Sequence, residues 1–241
     1  MTAPGDFPRR SFVARKLSEA GAGFGSLGDA AVALDFGDPA AEAGTAGRLG
    51  LADLSPVSRT GFKGAGAVEW LAGQGVEVTA ESNRAARQLG GDLAARLAPG
   101  EVLVLGVLGA LEAEADGLPA ALEAAWAAEP LPPEAPRGFP LPRRDSHAWF
   151  LVSGSEAAAM FAKLCGVDLR PAKFPDLSIA QTSVARIPAI VVRDDRGGTL
   201  AYHLLADSAS AEYLWDCLLD AMTEFEGRPV GLTAVRALGD D

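Results

Sequence analysis

Val152-Ser-Gly-Ser-Glu-Ala-Ala-Ala-Met-Phe-Ala162, followed by Gly166-Val-Asp-Leu169, is the stretch on which the reading of this chain turns. An apolar run ends in Ser-Gly, a short alanine-rich helix follows, and a glycine precedes a Val-acid-hydrophobe segment. The same order stands earlier, in Phe62-Lys-Gly-Ala-Gly-Ala-Val-Glu-Trp-Leu-Ala72 and Gly75-Val-Glu-Val78. Each copy reads as strand, glycine, short helix, glycine and a strand or turn. A duplicated α+β module is the expectation, with mostly antiparallel sheets and packed helices.

Around the later copy the signals are dense. Ala148 to Val152 reads as a strand, and Gly154-Ser155 opens a helix with Ser155 as N-cap and Gly166 as the closing C′ glycine. Ser183–Arg193 and Leu200–Leu205 read as two strands flanking the turn Asp194-Asp-Arg-Gly-Gly198. Asp207 or Ser208 caps a helix to about Phe225, with Leu214, Cys217, Leu218, Ala221, Met222 and Phe225 on one side. Val230 to Leu238 is compatible with strand or helix.

Around the earlier copy, Ala30 to Phe36 is an apolar run and Leu54 to Phe62 a candidate strand after a proline. Val68, Leu71 and Ala72 recur at helical spacing, with Trp70 beside them. Glu101 to Val107 reads as a buried strand. Leu118 to Ala128 reads as a helix presenting Leu118, Leu122 and Trp126. From Glu129 to Pro142 the prolines are too dense for a helix interior or a central strand, so the segment reads as a stiff, extended linker. The expected layout is an N-terminal segment 1–50, a first module 51–128, the linker 129–142 and a second module 143–241. The basic patch Arg9, Arg10, Arg15 and Lys16 reads as a solvated, mobile terminus.

Composition narrows the function classes. The 241 residues carry 21 Lys+Arg against 32 Asp+Glu, a formal net charge of −11. Such a surface repels phosphate backbones and anionic lipids, so neither nucleic acid nor a membrane is an expected partner. At 49% hydrophobic and 22% charged the chain is globular in type. Its best apolar run, Val102 to Leu111, falls well below the roughly 20 residues of a membrane span. Met-Thr-Ala-Pro-Gly-Asp at the start lacks the apolar stretch of a signal peptide, and a cytoplasmic location is the expectation. Two cysteines and two histidines leave no disulfide framework and few zinc arrangements. Cys165 and Cys217 read as small hydrophobes on apolar helix faces. His147 and His203, in apolar contexts, read as hydrogen-bonded structural groups. Gly61-Phe-Lys-Gly-Ala-Gly66 matches neither nucleotide-binding glycine motif and reads as close packing. Composition and spacing by themselves name no reaction.

A resemblance adds to this. Asp53-Leu-Ser-Pro-Val-Ser-Arg-Thr-Gly-Phe-Lys-Gly-Ala-Gly-Ala67 resembles the aspartate–hydrophobe–serine, strand, glycine, helix opening of the aminomethyltransferase fold of the glycine cleavage T-protein. The order recurs around Asp145-Ser-His-Ala-Trp-Phe-Leu-Val-Ser-Gly-Ser155. Then come Cys165-Gly-Val-Asp-Leu169, Phe174-Pro, Ala180-Gln-Thr-Ser-Val-Ala-Arg186 and Tyr213-Leu-Trp-Asp-Cys-Leu-Leu219. In order, these are similar to the gamma subunit of heterotetrameric sarcosine oxidase, over about residues 50–225 and most closely from 145 onward. The resemblance implies a non-catalytic subunit with alpha- and beta-like partner chains, in a complex using FAD, FMN, NAD and tetrahydrofolate, none held by this chain alone. Where the T-protein continues into a folate-holding Thr-Gly-Tyr-Thr-Gly-Glu turn, Arg186 is followed here by Ile-Pro-Ala-Ile-Val-Val192. A pteridine needs polar partners for its ring nitrogens, so the folate site is expected to be dismantled. Asp92, after Gly90-Gly91, and Arg186 are the candidate remnants of that pocket, and Asp92 reads as a solvated turn residue. Two alternatives stay open: a stand-alone folate-binding or folate-dependent protein, and a subunit of an N-methylglutamate dehydrogenase-type complex.

Overall fold

The computed structural model describes residues 3–106, 117–129 and 135–239. The chain divides into two compact units, one made of Met1–Pro56 with His147–Asp241 and the other of Val57–Ser146. This departs from the expected layout: Gly23–Leu27 and Ala30–Asp35 pair with each other in a two-stranded sheet, but Val13, Leu17, Ala33 and Leu49 share one core with the last third of the chain, so the first 50 residues are no separate segment.

In chain order the first unit opens with α1 (Ala14–Glu19), β1 (Gly23–Leu27), β2 (Ala30–Asp35), α2 (Pro39–Leu49) and β3 (Gly50–Asp53). α2 starts where its residues dictate. The Asp38 carboxylate accepts the Ala41 N–H at 3.1 Å, and Pro39 occupies the first turn, where no intrahelical donor is missed.

The second unit follows: β4 (Arg59–Lys63), α3 (Ala67–Gly73), β5 (Arg84–Arg87), β6 (Leu93–Ala98), β7 (Glu101–Leu105), α4 (Gly117–Ala128) and β8 (Phe139–Pro140). Its five strands run antiparallel in the order β5-β6-β7-β4-β8. Phe62, Leu71, Val102, Val104 and Leu122 form its core, and the Phe62 and Trp70 rings lie 4.9 Å apart. Part of the expected linker is therefore built into this unit. Phe139 and Pro140 pair with Lys63 and Phe62 as an edge strand, a position that tolerates proline because it leaves one side of the backbone unpaired. Residues 130–134 of that linker, and Val107 of the expected strand, lie outside the described residues.

The first unit resumes with β9 (His147–Ser153), α5 (Ala157–Phe161), β10 (Ile179–Val184), β11 (Ile187–Arg193), β12 (Ala201–Asp207), α6 (Ala211–Met222), β13 (Arg228–Pro229) and α7 (Leu232–Ala237). Its sheet has the order β10-β11-β12-β9-β3-β13, antiparallel except where β13 runs parallel to β3. Pairing of β3 with β9, Leu51 opposite Val152, fastens the two halves of this discontinuous unit. Tyr202 opposite Val152 and Leu204 opposite Phe150 place four large residues on one face. They pack with Leu214, Trp215, Leu218 and Met222 of α6. Phe150 meets Trp215 edge-on at 5.4 Å, and Phe161 meets Tyr202 at 5.5 Å. The α+β class and the antiparallel bias are as expected.

Local departures have local causes. The basic patch is anchored rather than mobile: Arg9 pairs with Asp29, Arg15 with Glu19 and Glu212, and Lys16 with Asp216, so α1 is tied to the outer face of α6. Ser155 is not a cap. Its N–H is taken by the Gly47 carbonyl, and α5 begins two residues later with Glu156 at the N-cap. α5 ends at Phe161, so Gly166 lies beyond it, and Cys165 forms an isolated antiparallel bridge to Val184. Ser183–Arg193 is two strands, broken at Ala185-Arg186. Val230 to Leu238 resolves into a helix, α7. The repeat holds at its joint: Gly64 (φ +120°) and Gly154 (φ +109°) turn the chain from strand to helix in a backbone region that glycine enters without strain.

Candidate functional site

A connected polar group crosses the sheet of the first unit. Asp53 ends β3, and its Oδ1 accepts the Ser55 N–H at 3.1 Å. The Ser55 hydroxyl then accepts the Trp149 N–H at 3.1 Å, while the Trp149 carbonyl accepts the Leu54 N–H at 2.8 Å. Beyond β3 the side chain of Ser55 thus replaces a strand's backbone pairing. Register carries the group onward. β12 pairs Leu205 with Trp149 and His203 with Leu151, so Trp149 and His203 share the face opposite Tyr202. The Trp149 indole N–H donates to His203 Nδ1 at 3.1 Å, which leaves the ring proton on Nε2, directed at Asp194 Oδ2 3.1 Å away. Arg196 reaches the same oxygen at 2.9 Å. His203 is 1% exposed and both ring nitrogens are engaged, so it orders the sheet and offers no lone pair to a substrate.

The charged run after β11 supplies a second cluster. Buried Arg193 donates to both oxygens of Asp195, at 2.8 and 2.5 Å, and to the Phe174 carbonyl at 2.7 Å. The Asp195 bond holds its guanidinium more firmly protonated than an ordinary arginine. Sequence reading treated Asp194–Gly198 as a hairpin turn only. The charged residues within it, next to a strand containing the one buried histidine, were the available signal, and strand register was the missing information.

The two sequence-predicted pocket residues fall in different units. Asp92 belongs to the second unit, where it is buried, not solvated. Its carbonyl accepts the Gln88 N–H at 2.8 Å in the turn between β5 and β6. Arg186 belongs to the first unit and is exposed. Ala185 and Arg186 have φ of +50° and +67°, the tight two-residue connection of β10 and β11. Left-handed backbone at non-glycine residues costs about 1–2 kcal/mol each, so neighbouring bonds must hold the turn. The Ala185 N–H donates to Leu164 O at 3.0 Å, and the Tyr213 hydroxyl donates to Ala185 O at 3.4 Å. Ile187, Ala189 and Val191, which follow, enter the apolar core. An exposed arginine before an apolar strand supplies no buried polar partner to a pterin.

One open groove of about 750 Å³ lies along α5, lined by Ala158, Ala159, Ala162, Cys165, Leu169 and Pro171 among others. At its rim Asp168 is held well below the usual carboxylate range, at about 2, by its bonds to Arg170. Among the described residues no group of three or more His, Cys, Asp or Glu could hold a metal ion, and no helix is long and apolar enough to cross a membrane.

Comparison with known proteins places this geometry. Residues 139–239 match the family model described as the GCVT N-terminal domain. An aminomethyltransferase from Streptomyces avermitilis is 33% identical over 89 residues, covering 37% of this chain and 22% of that protein. The match thus spans about a fifth of the curated relative's length. A chain of the heterotetrameric sarcosine oxidase from Corynebacterium sp. U-96, solved with pyrrole 2-carboxylate, superposes with TM-score 0.60 at 24% identity, covering 80% of this chain and 95% of that one. The glycine cleavage system aminomethyltransferase T from Bartonella henselae superposes with TM-score 0.72 at 17% identity, covering 95% of this chain and 61% of that one. The fold is T-protein-like, and the sequence match to the GCVT N-terminal domain lies in residues 139–239.

Proposed function

We propose that this chain is a gamma-type, non-catalytic subunit of a heterotetrameric sarcosine oxidase-like complex that oxidatively demethylates a small N-methyl amino acid. The observation that carries the reading is the superposition covering 95% of one chain of such an oxidase. The site supports it, because both nitrogens of the buried histidine are occupied and Arg186 stands on a solvent-facing turn. In this reading flavin chemistry, NAD and tetrahydrofolate belong to larger alpha- and beta-type chains, and this chain contributes packing surface to the assembly. Co-expression with alpha- and beta-type chains tests it. Co-purification as one complex is expected, and migration as a lone monomer beside both partners overturns it.

A second reading, a stand-alone folate-binding protein, draws on the 33% identity to an aminomethyltransferase. Calorimetry with tetrahydrofolate separates the two. Binding that disappears in Asp92→Ala favours the second reading, and no detectable heat leaves the subunit reading in place.

A further inference from the structure

We infer that Arg186, Tyr213 and the groove along α5 form one docking surface for a partner chain of different sequence, which presents a carboxylate flanked by apolar side chains. The inference rests on the subunit reading above and assigns it a surface. Its residues are contiguous through the backbone. Cys165, in the groove lining, bridges to Val184, and Leu164 O accepts the Ala185 N–H, so the end of the groove abuts the turn that carries Arg186. Tyr213 reaches the same turn through its bond to Ala185 O and is itself 53% exposed, one of three large hydrophobic residues so exposed among the described residues.

Charge selects the occupant. Arg186 makes no ion pair among the described residues, and neither does the exposed Lys173 beside the groove residues Pro171 and Ala172, whereas Arg15, Lys163 and Arg170 are each paired with a carboxylate. The Ala185-Arg186 turn holds a long cation where a two-residue hairpin ordinarily places Asn-Gly, so the strained position displays a charge outward instead of relieving the strain. Arginine and tyrosine together form the type of anchor that dominates protein interfaces. The groove beside them is floored by alanines and a cysteine, shallow side chains that admit an apolar side chain from outside. A second copy of this chain is the wrong occupant, because two bodies of net charge −11 repel.

The experiment is co-expression of the full chain with the alpha- and beta-type chains of a heterotetrameric sarcosine oxidase, with co-purified partner quantified. Arg186→Glu and Ala159→Trp are each expected to cut the recovered partner by about tenfold or more, since one reverses the anchor charge and the other fills the groove. Arg186→Lys is expected to recover most of it. Unfolding midpoints of all three variants should match the unsubstituted chain, because both positions are exposed. Full recovery of partner by Arg186→Glu and Ala159→Trp overturns the docking surface and leaves the subunit reading intact. No partner recovered by the unsubstituted chain overturns both.

Discussion

Glu42 and Gly231 stand far apart in sequence and meet in the fold: Oε2 of the Glu42 carboxylate accepts the Gly231 N–H at 2.8 Å. Its other oxygen accepts the Phe36 N–H at 2.6 Å. The carboxylate is 7% exposed and does for two backbone donors what no strand or helix does there. It closes the turn between β2 and α2 and fixes the start of α7, whose first turn begins at Gly231. Glu42→Ala leaves the buried Gly231 donor and the part-buried Phe36 donor without this acceptor and is expected to cost about 2–4 kcal/mol, with Glu42→Gln costing about half as much. Urea unfolding followed by far-ultraviolet circular dichroism measures both. Equal midpoints for Glu42→Ala and the unsubstituted chain would show that the clamp contributes nothing.

Trp149 and His203 give a second test, in which the pair matters more than either member. Trp149→Phe removes the donor to Nδ1 and leaves a buried ring nitrogen unpaired, costing about 1–3 kcal/mol. His203→Leu leaves the indole N–H and the Asp194–Arg196 pair without their partner, at comparable cost. The double substitution removes donor and acceptor together, so its cost should fall short of the sum of the two. Guanidinium titrations of the four proteins close this cycle. Strict additivity would mean that the hydrogen bond carries no energy.

How far these features were legible depends on how local their causes are. Ala148–Val152 and Leu200–Leu205 were legible as strands because each is a short apolar run bounded by turn residues. The discontinuous unit was not legible. It rests on β3 pairing with β9, and the apolar run before Asp53 carries no mark of its partner. The Trp149–His203–Asp194 chain likewise requires strand register, which one sequence does not contain. Ala185-Arg186 went unseen as a turn because hairpin signals rest on Asn, Asp and Gly, and here bonds from Leu164 and Tyr213 enforce the conformation instead. Asp92 followed a glycine pair and so resembled a solvated turn residue, yet the β5–β6 hairpin encloses it.

The repeated glycine was legible, but its two copies are not equivalent. A Cβ on Gly154 would lie 2.3 Å from the carbonyl carbon and oxygen of Arg48, a contact only backbone movement relieves. A Cβ on Gly64 would find Gly138 Cα no closer than 3.5 Å, ordinary contact. Gly64→Ala therefore bears only the left-handed backbone penalty, about 1–2 kcal/mol, whereas Gly154→Ala adds the clash and should cost about 3 kcal/mol or more. Thermal unfolding ranks them. A Gly64→Ala variant less stable than Gly154→Ala would contradict the packing described at this joint.

Tyr202 makes the alkaline limb of stability measurable. Its ring is fully buried against Phe161, its hydroxyl donates to Leu169 O at 2.7 Å, and burial pushes the phenol from 10.0 up to about 12. The native state thus keeps its proton at a pH where the unfolded chain has released it. The stabilisation is complete below about pH 10 and is lost as pH rises toward about 12, a difference of about 3 kcal/mol across the window. Tyr202→Phe forfeits the hydrogen bond at neutral pH, at about 1 kcal/mol, but has no phenol to ionise. Its urea midpoint should fall less steeply than that of the unsubstituted chain between about pH 9.5 and about pH 11.5. The chain's other tyrosine, Tyr213, also titrates above its ordinary 10.0, through its bond to Cys217. Because Tyr213 is half-exposed, it adds little to the stability difference and is common to both proteins. Parallel alkaline limbs would mean that the Tyr202 phenol titrates in the native state as it does in the unfolded chain, and the burial argument for this core would fail.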